Sequence, residues 1–349
     1  MIETKAPGRI CFFGDHQDYL TLPVIAGTID RFIRVKGEPN GKEYLQLKLI
    51  DFDSEIIINL NESMDNLKKG DYLRSSLRVL RRNGIVLNKG YNIEIKGDIP
   101  INAGLSSSSA LTVAWLRFLT KVVVPNNKFK DEQYAKWAYE SEVLEFNEAG
   151  GIMDQYTISI GGMLYINTLE TTCKKLNVKL GGLIIGDSGI EKKTQEILTT
   201  LKDGALKAIK LVQKYNPNFK IHDAKKQDFY DFRKNLPFDL HPYFYAAIFN
   251  HIITQNALLE FENPNHDRNK IAKLINAHQE ILDKKLNNTP NEMISMMNAA
   301  KVAGAKATKI VGSGGGGCFL AMTDSQNEEK VINAILNAGA ADAFSVNLV

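Results

Sequence analysis

Cysteine is scarce in this sequence: the 349 residues hold three. Cys11, Cys173 and Cys318 are far apart and lack the paired spacing of a zinc site, which excludes a disulfide scaffold and points to a reduced, cytoplasmic compartment. An excess of one charge is missing too. The formal net charge is +3, with Lys and Arg dispersed along the chain, which argues against a nucleic-acid partner; Arg78, Arg81 and Arg82 read as a solvated helix end. No apolar run approaches the roughly 20 residues of a membrane span, and the first seven residues hold no apolar signal core, so the expectation is a protein neither secreted nor embedded. Repeats, low-complexity tracts and an evident linker are absent. So is a Walker A loop, since neither glycine cluster runs on into Lys and Ser or Thr. What is present is 44% hydrophobic and 24% charged, ordinary for a globular chain with length for about two domains of roughly 150 residues.

Alternation predicts strands over 9–13, 32–36, 45–50 and 55–60, the middle pair joined across Asn40-Gly41. A helix is predicted over 71–83, stopped by Gly84, and a strand over 91–96, closing at Pro100. Two helices follow, the second from Asp131, then strands at 163–167, 176–180 and 183–186. From 191 to about 304 the pattern is almost purely helical, and His222, His241, His251 and His266 within it show no metal spacing. Strands at 308–311 and 318–322, a helix over 328–337 and a strand over 344–349 close the chain. Antiparallel strands with segregated helices indicate an α+β class, without the regular alternation of a doubly wound nucleotide fold. The boundary is placed near Gly186, dividing 1–186 from 187–349.

Four stretches carry candidate chemistry. Pro100-Ile101-Asn102-Ala103-Gly104-Leu105-Ser106-Ser107-Ser108-Ser109-Ala110 ends a strand and opens a helix that is apolar nearly all round. Its serines and unpaired N–H groups, backed by the positive end of the helix dipole, suit an anion; a plain N-cap with surplus serines is the alternative. Gly312-Ser313-Gly314-Gly315-Gly316-Gly317 fits G-x-G-x-x-G, yet a strand follows where a dinucleotide fold needs a helix. The run then serves close backbone approach, to a ligand or to a packed neighbour. Arg9 to Phe13 runs into a glycine turn whose Asp15, His16 and Asp18 suit several hydroxyls at once, or simply decorate an acidic surface turn. Gly150-Gly151-Ile152-Met153-Asp154-Gln155 follows a helix with an apolar stripe through Tyr134, Trp137, Ala138, Ser141 and Leu144. Glu142 lies at the edge of that stripe and Glu145 within it, and spacing does not choose which of them points inward.

Taken in this order, the motifs resemble the GHMP kinase family of galactokinases, homoserine kinases, mevalonate kinases and phosphomevalonate kinases. The likeness rests on the Pro-x-x-x-Gly-Leu-Ser-Ser-Ser loop, the amino-terminal Gly-Arg strand and the carboxyl-terminal Gly-Ser-Gly-x-Gly-Gly turn, and spans nearly the whole chain. Gly14-Asp15-His16-Gln17-Asp18-Tyr19 and Gly151-Ile152-Met153-Asp154-Gln155 are most similar to the galactokinase type. Leu274-Ile275-Asn276-Ala277-His278 and Pro290-Asn291-Glu292-Met293 resemble the region before the last glycine turn. The resemblance implies a two-domain α+β fold, with an N-terminal domain like ribosomal protein S5 domain 2 and a ferredoxin-like C-terminal domain. It implies ATP and Mg2+ as cofactors and a small-molecule sugar as partner. By the same resemblance Asp154 orients or deprotonates the acceptor hydroxyl, and Arg9 stabilises the transferring phosphoryl group. Gly104, Leu105, Ser106, Ser107, Ser108 and Ser109 wrap the triphosphate. Glu142 with Ser108, or else Ser107, holds magnesium, and Glu145 is demoted. Asp15, His16, Asp18 and Gly151 hold the sugar, with Asp187 and Ser188 completing its pocket.

The chain departs from the galactokinase type where it faces the sugar. Asp15 replaces Glu, shortening the reach by about 1.3 Å, Leu20-Thr21-Leu22 replaces Asn-Gly-Gly, and Ala26 replaces Pro. The expected activity is transfer of the γ-phosphate of ATP to a monosaccharide hydroxyl, the anomeric one, of galactose or a close relative. Two alternatives stand beside it. A mevalonate-type kinase of a small hydroxy acid is opposed by the charge of Asp15 and Asp18. A non-catalytic sensor of sugar and ATP is opposed by the presence of Arg9, Ser108, Glu142 and Asp154 together. The oligomeric state is left open.

Overall fold

The structure, a computed structural model, describes residues 1–349 except 127 and 193. The first sheet takes β1 (Ile2–Phe13), β2 (Val24–Pro39), β3 (Tyr44–Leu49), β4 (Ser54–Asn59), β5 (Tyr91–Gly97), β6 (Met163–Asn167) and β7 (Thr172–Leu176), ordered β4-β3-β5-β2-β6-β7 with β1 also on β2. The long β2 makes this possible, pairing β6 through residues 24–27 and β5 through residues 33–39. The hairpin expected across Asn40-Gly41 does not form. β5 lies between β2 and β3 and runs parallel to β3, because the turn wraps around Gly90: Asn40 N–H donates to the Gly90 carbonyl and Gly90 N–H to that of Lys42. β7 likewise sits ahead of its expected position at 176–180, since the tight turn at Thr168–Thr171 sets Asn167 opposite Thr172; Leu176 and Leu180 are nevertheless buried.

Helices cover the face of this sheet. α1 (Tyr72–Arg82) starts where Asp71 accepts from the Arg74 N–H and stops before Gly84, whose φ is +76°. α2 (Ser107–Val123) is buried through Ala110, Val113, Trp115, Phe118 and Leu119. Each of its large side chains contributes about 1.5–3 kcal/mol by leaving water. α3 (Asp131–Tyr139) runs on into one π-helical turn (Glu140–Leu144), and α4 (Met153–Ile160) begins just before Asp154.

β8 (Gly182–Asp187) pairs with none of these strands. Together with β9 (Ala307–Ile310), β10 (Cys318–Thr323) and β11 (Asp342–Val346) it forms a second, antiparallel sheet ordered β11-β8-β10-β9. A boundary at Gly186 would cut β8; the sheets part ahead of it, in 177–181. Between β8 and β9 lie α5 (Thr194–Tyr215), α6 (Lys226–Phe232), α7 (His241–Glu262), α8 (Arg268–Lys284) and α9 (Asn291–Val302), and α10 (Glu328–Asn337) follows β10. α9 and α10 bury Met293, Met297 and Ile335 against Phe319 and Ala321 of β10. α5, α6 and α7 have a core of their own, and Leu20 and Leu22 pack into it. The substituted turn is therefore an anchor to the helices. The chain finally returns to the first sheet, where Leu348 bridges Ile29 and Asp30 holds Asn347. Among the described residues no helix is long and apolar enough to cross a membrane.

Candidate active site

A cleft of about 420 Å³ opens where the two sheets meet, lined by Arg9, Asp18, Ser106 to Ser109, Glu142, Asp154, Lys192 and Ser313. The serine loop forms one wall. Ser106 adopts φ +58° and makes no side-chain cap to α2; its hydroxyl turns instead to Asp154 at 2.5 Å. The first N–H groups of α2 thus take no cap from the Ser106 side chain and have the positive end of the dipole behind them. The second glycine cluster lines the cleft with Gly312 and Ser313 and backs this loop with its far end. Cys318 N–H donates to the Ala103 carbonyl at 2.6 Å, and a Cβ on Gly317 would lie 2.7 Å from that oxygen, so only glycine permits the approach.

Arg9, 3% exposed, meets Asp154 through both Nε and Nη2, at 2.7 and 2.8 Å, and spends Nη1 on the Gly104 carbonyl. One planar fork therefore ties strand, serine loop and carboxylate together. Asp18 lies alongside, accepting from Tyr19 N–H at 2.9 Å and Met153 N–H at 3.3 Å. A Cβ on Gly151 would fall 2.2 Å from the Asp18 carboxyl, which explains glycine there. Burial, then repulsion from Asp154, pushes the Asp18 carboxyl up to about 6. His16 holds φ +61°. Its Nε2–H donates to the Ser313 carbonyl at 3.1 Å, which leaves Nδ1 to accept from Tyr19 O–H; burial lowers the ring to about 4, so it is neutral.

Residues 71–162 match the family described as GHMP kinases N terminal domain, and residues 257–341 that described as GHMP kinases C terminal, together just over half the chain. This protein is a GHMP kinase. Mevalonate kinase of Pyrococcus abyssi is 24% identical over 97% of this chain and 93% of its own length. Galactokinase of Clostridium acetobutylicum is 25% identical over 95% and 87%. Lactococcus lactis galactokinase, in its crystal structure complexed with galactose, shares the two-domain α+β fold with a TM-score of 0.86 at 19% identity, over 99% of this chain and 93% of that one. GHMP kinases use ATP, usually with Mg2+.

The cleft of this GHMP kinase has donors suited to that ion. Glu142 is 4% exposed and accepts from Ser109 Oγ at 2.7 Å, Gln155 Nε2 at 2.6 Å and Thr112 Oγ1 at 3.2 Å. Burial pushes its carboxyl up to about 7, even though the three hydrogen bonds pull the other way. Gln155 Oε1 beside it is buried without a hydrogen-bond partner. These are hard oxygens, few in number, as suits an ion that keeps phosphate and water ligands. Of the serine run it is Ser109 whose hydroxyl bonds Glu142; Ser108 is exposed on the cleft wall one residue earlier, at the start of α2.

Other expectations change as well. Asp15 is 2% exposed and paired at 2.5 Å with Lys309 Nζ, itself wholly buried. Lys309 and the neighbouring histidines lower its carboxyl although burial alone would raise it. Its charge is therefore neutralised within the protein, and the electrostatic case against a hydroxy-acid acceptor loses one of its two carboxylates. Ser188 pins the second glycine turn through the Gly317 carbonyl, and Asp187 accepts from Gly189 N–H; neither lines the cleft. Arg78 and Arg82, the latter exposed at the end of α1 as expected, both pair with Glu145. Sequence reasoning missed Lys192, which reaches the cleft beside Gly104 and Gly312, its ammonium lowered to about 8 by burial and then by Arg9.

The raised Asp18 value has a measurable consequence. Between about pH 4 and 6 the folded protein holds a proton there that the unfolded chain releases, so this stabilisation is present below that window and is lost as pH rises through it. Relative to wild type, Asp18→Asn should gain about 2 kcal/mol from pH 4 to pH 7 in urea unfolding. A difference independent of pH would show that Asp18 is not shifted.

Proposed function

We propose that this GHMP kinase transfers the γ-phosphoryl group of ATP to a hydroxyl of a monosaccharide. The observation that carries the reading is the division of charge in the cleft. The cations Arg9 and Lys192 stand beside the phosphate loop, whereas the side beyond Asp154 presents Asp18, His16 and Tyr19. Asp18 has no ion-pair partner among the described residues and accepts from backbone N–H alone. An unneutralised carboxylate beside a neutral imidazole and a phenol favours hydroxyl groups and disfavours an anionic acceptor.

In this reading the acceptor oxygen attacks the γ-phosphorus, the bond to the bridging oxygen breaks and ADP leaves, while the acceptor proton passes to Asp154. Arg9 fixes the orientation of that carboxylate and offsets charge on the phosphoryl oxygens. Magnesium, when bound by Glu142 and a serine hydroxyl, supplies neutralisation of the phosphate oxygens. Lys192 favours the competing reading, since a second cation in the cleft could also hold the carboxylate of a hydroxy acid.

ADP release with Mg·ATP against D-galactose, other hexoses, pentoses, uronic acids and mevalonate separates the readings. The expected result is turnover on a neutral sugar, with uronic acids and mevalonate poor. Turnover on mevalonate alone would overturn the sugar assignment. Tight binding of ATP and a sugar without turnover would indicate a sensor.

A further inference from the structure

Glu142 and Glu145 lie three residues apart and, in a regular α-helix, would share one face. Here they point to different places, Glu142 into the cleft and Glu145 onto Arg78 and Arg82 of α1. The cause is the π turn: Glu145 N–H donates to the Glu140 carbonyl and Glu148 N–H to that of Val143, each five residues back. One extra residue in a turn shifts everything after it by about 100° around the axis. A π turn also leaves a carbonyl without its usual partner. That of Ser141 is taken by Ser75 Oγ of α1 at 2.8 Å, from a position that is fully buried.

We infer that α1, through the Ser75 hydroxyl on the Ser141 carbonyl and the Arg78 and Arg82 guanidiniums on Glu145, is a positioning element that holds the π turn and thereby aims Glu142 at the metal-nucleotide site. The inference rests on the reading of Glu142 as a cation ligand and adds residues that never touch the cleft. The turn and the residue that follows it are gripped from the same helix. Ser75 satisfies the displaced carbonyl in the middle, and Arg82 at 2.5 Å, with Arg78, pins the carboxylate just after it. The Tyr72 and Phe146 rings, in edge contact at 5.8 Å, extend the grip past the turn. Without these partners the segment is free to return to α geometry, which changes the phase between Glu142 and Glu145 by about 100° and with it the seating of Glu142 against Ser109 and Gln155.

The test is Mn2+ binding to the full-length protein with ADP, read by electron paramagnetic resonance, in wild type, Glu142→Gln, Ser75→Ala and Arg82→Gln. Partners that orient a metal ligand are typically worth about 10–100-fold in affinity. Ser75→Ala and Arg82→Gln should each weaken Mn2+ binding by about tenfold or more, in the direction of Glu142→Gln, while circular dichroism shows a folded protein. If Glu142→Gln weakens Mn2+ and the two α1 variants do not, even with a lowered Tm, α1 is merely structural and the inference is wrong. If Glu142→Gln itself leaves Mn2+ binding unchanged, the metal reading falls, and the positioning role with it.

Discussion

Asp154→Asn is expected to lower kcat by on the order of 10³-fold, the scale of a lost general base, with little change in the affinity for ATP. The amide keeps the size of the carboxylate but removes the charge. It cannot accept the acceptor proton, and it can no longer take both prongs of the Arg9 fork, at 2.7 and 2.8 Å, as charge-assisted bonds. The variant alters the Ser106 and, through Arg9, the Gly104 contacts of the serine loop, but the N–H groups at the start of α2 are not partners of Asp154. Single-turnover measurements with the preferred acceptor, together with ATP titration, check both halves. A loss in ATP affinity that accounts for the whole effect would assign Asp154 to the nucleotide and not to the acceptor.

The second large effect concerns stability. Lys309→Met should cost about 3–5 kcal/mol, since it leaves the Asp15 carboxylate buried without a counter-ion. Joining it to Asp15→Asn removes the stranded charge, and the double variant should recover most of the loss. Urea unfolding of wild type, both single variants and the double variant closes the cycle; additive losses would mean that the two groups do not act as a pair. Restored stability without restored acceptor KM would further show that the pair shapes the pocket as well as holding the fold.

Much of the scaffold could be read from local signals. Asp71 and Gly84 mark the ends of α1 because a cap and a left-handed stop are decided within a few residues. The serine run placed the start of α2 for the same reason, and Tyr91, Ile93 and Ile95 alternate into the core as expected. Local reasoning failed where the deciding partner is remote. Lys309 stands 294 residues from Asp15 in sequence, and no spacing rule joins them. The sheet order failed in the same way, since Asn40-Gly41 is a good hairpin turn until Gly90 occupies it. The choice between Glu142 and Glu145 depended on a phase that the sequence reads as regular helix. Assuming 3.6 residues per turn sets Glu145 inside the apolar stripe, whereas the π turn sends it to the arginines. Which serine of the run bonds Glu142 is likewise a matter of helix phase, set by the left-handed Ser106 at the head of α2.

The seam between Ala103 and Cys318 has a consequence for how such a chain is made. A ribosome that has delivered the phosphate loop still has about two hundred residues to add before the strand that backs it exists, and β2 waits longer still for Leu348 to lie against Ile29. During that interval the nascent first sheet carries an unfinished edge beside an open loop. The backing of the serine loop is therefore completed late in the synthesis of each molecule, only once its distant sequence has arrived.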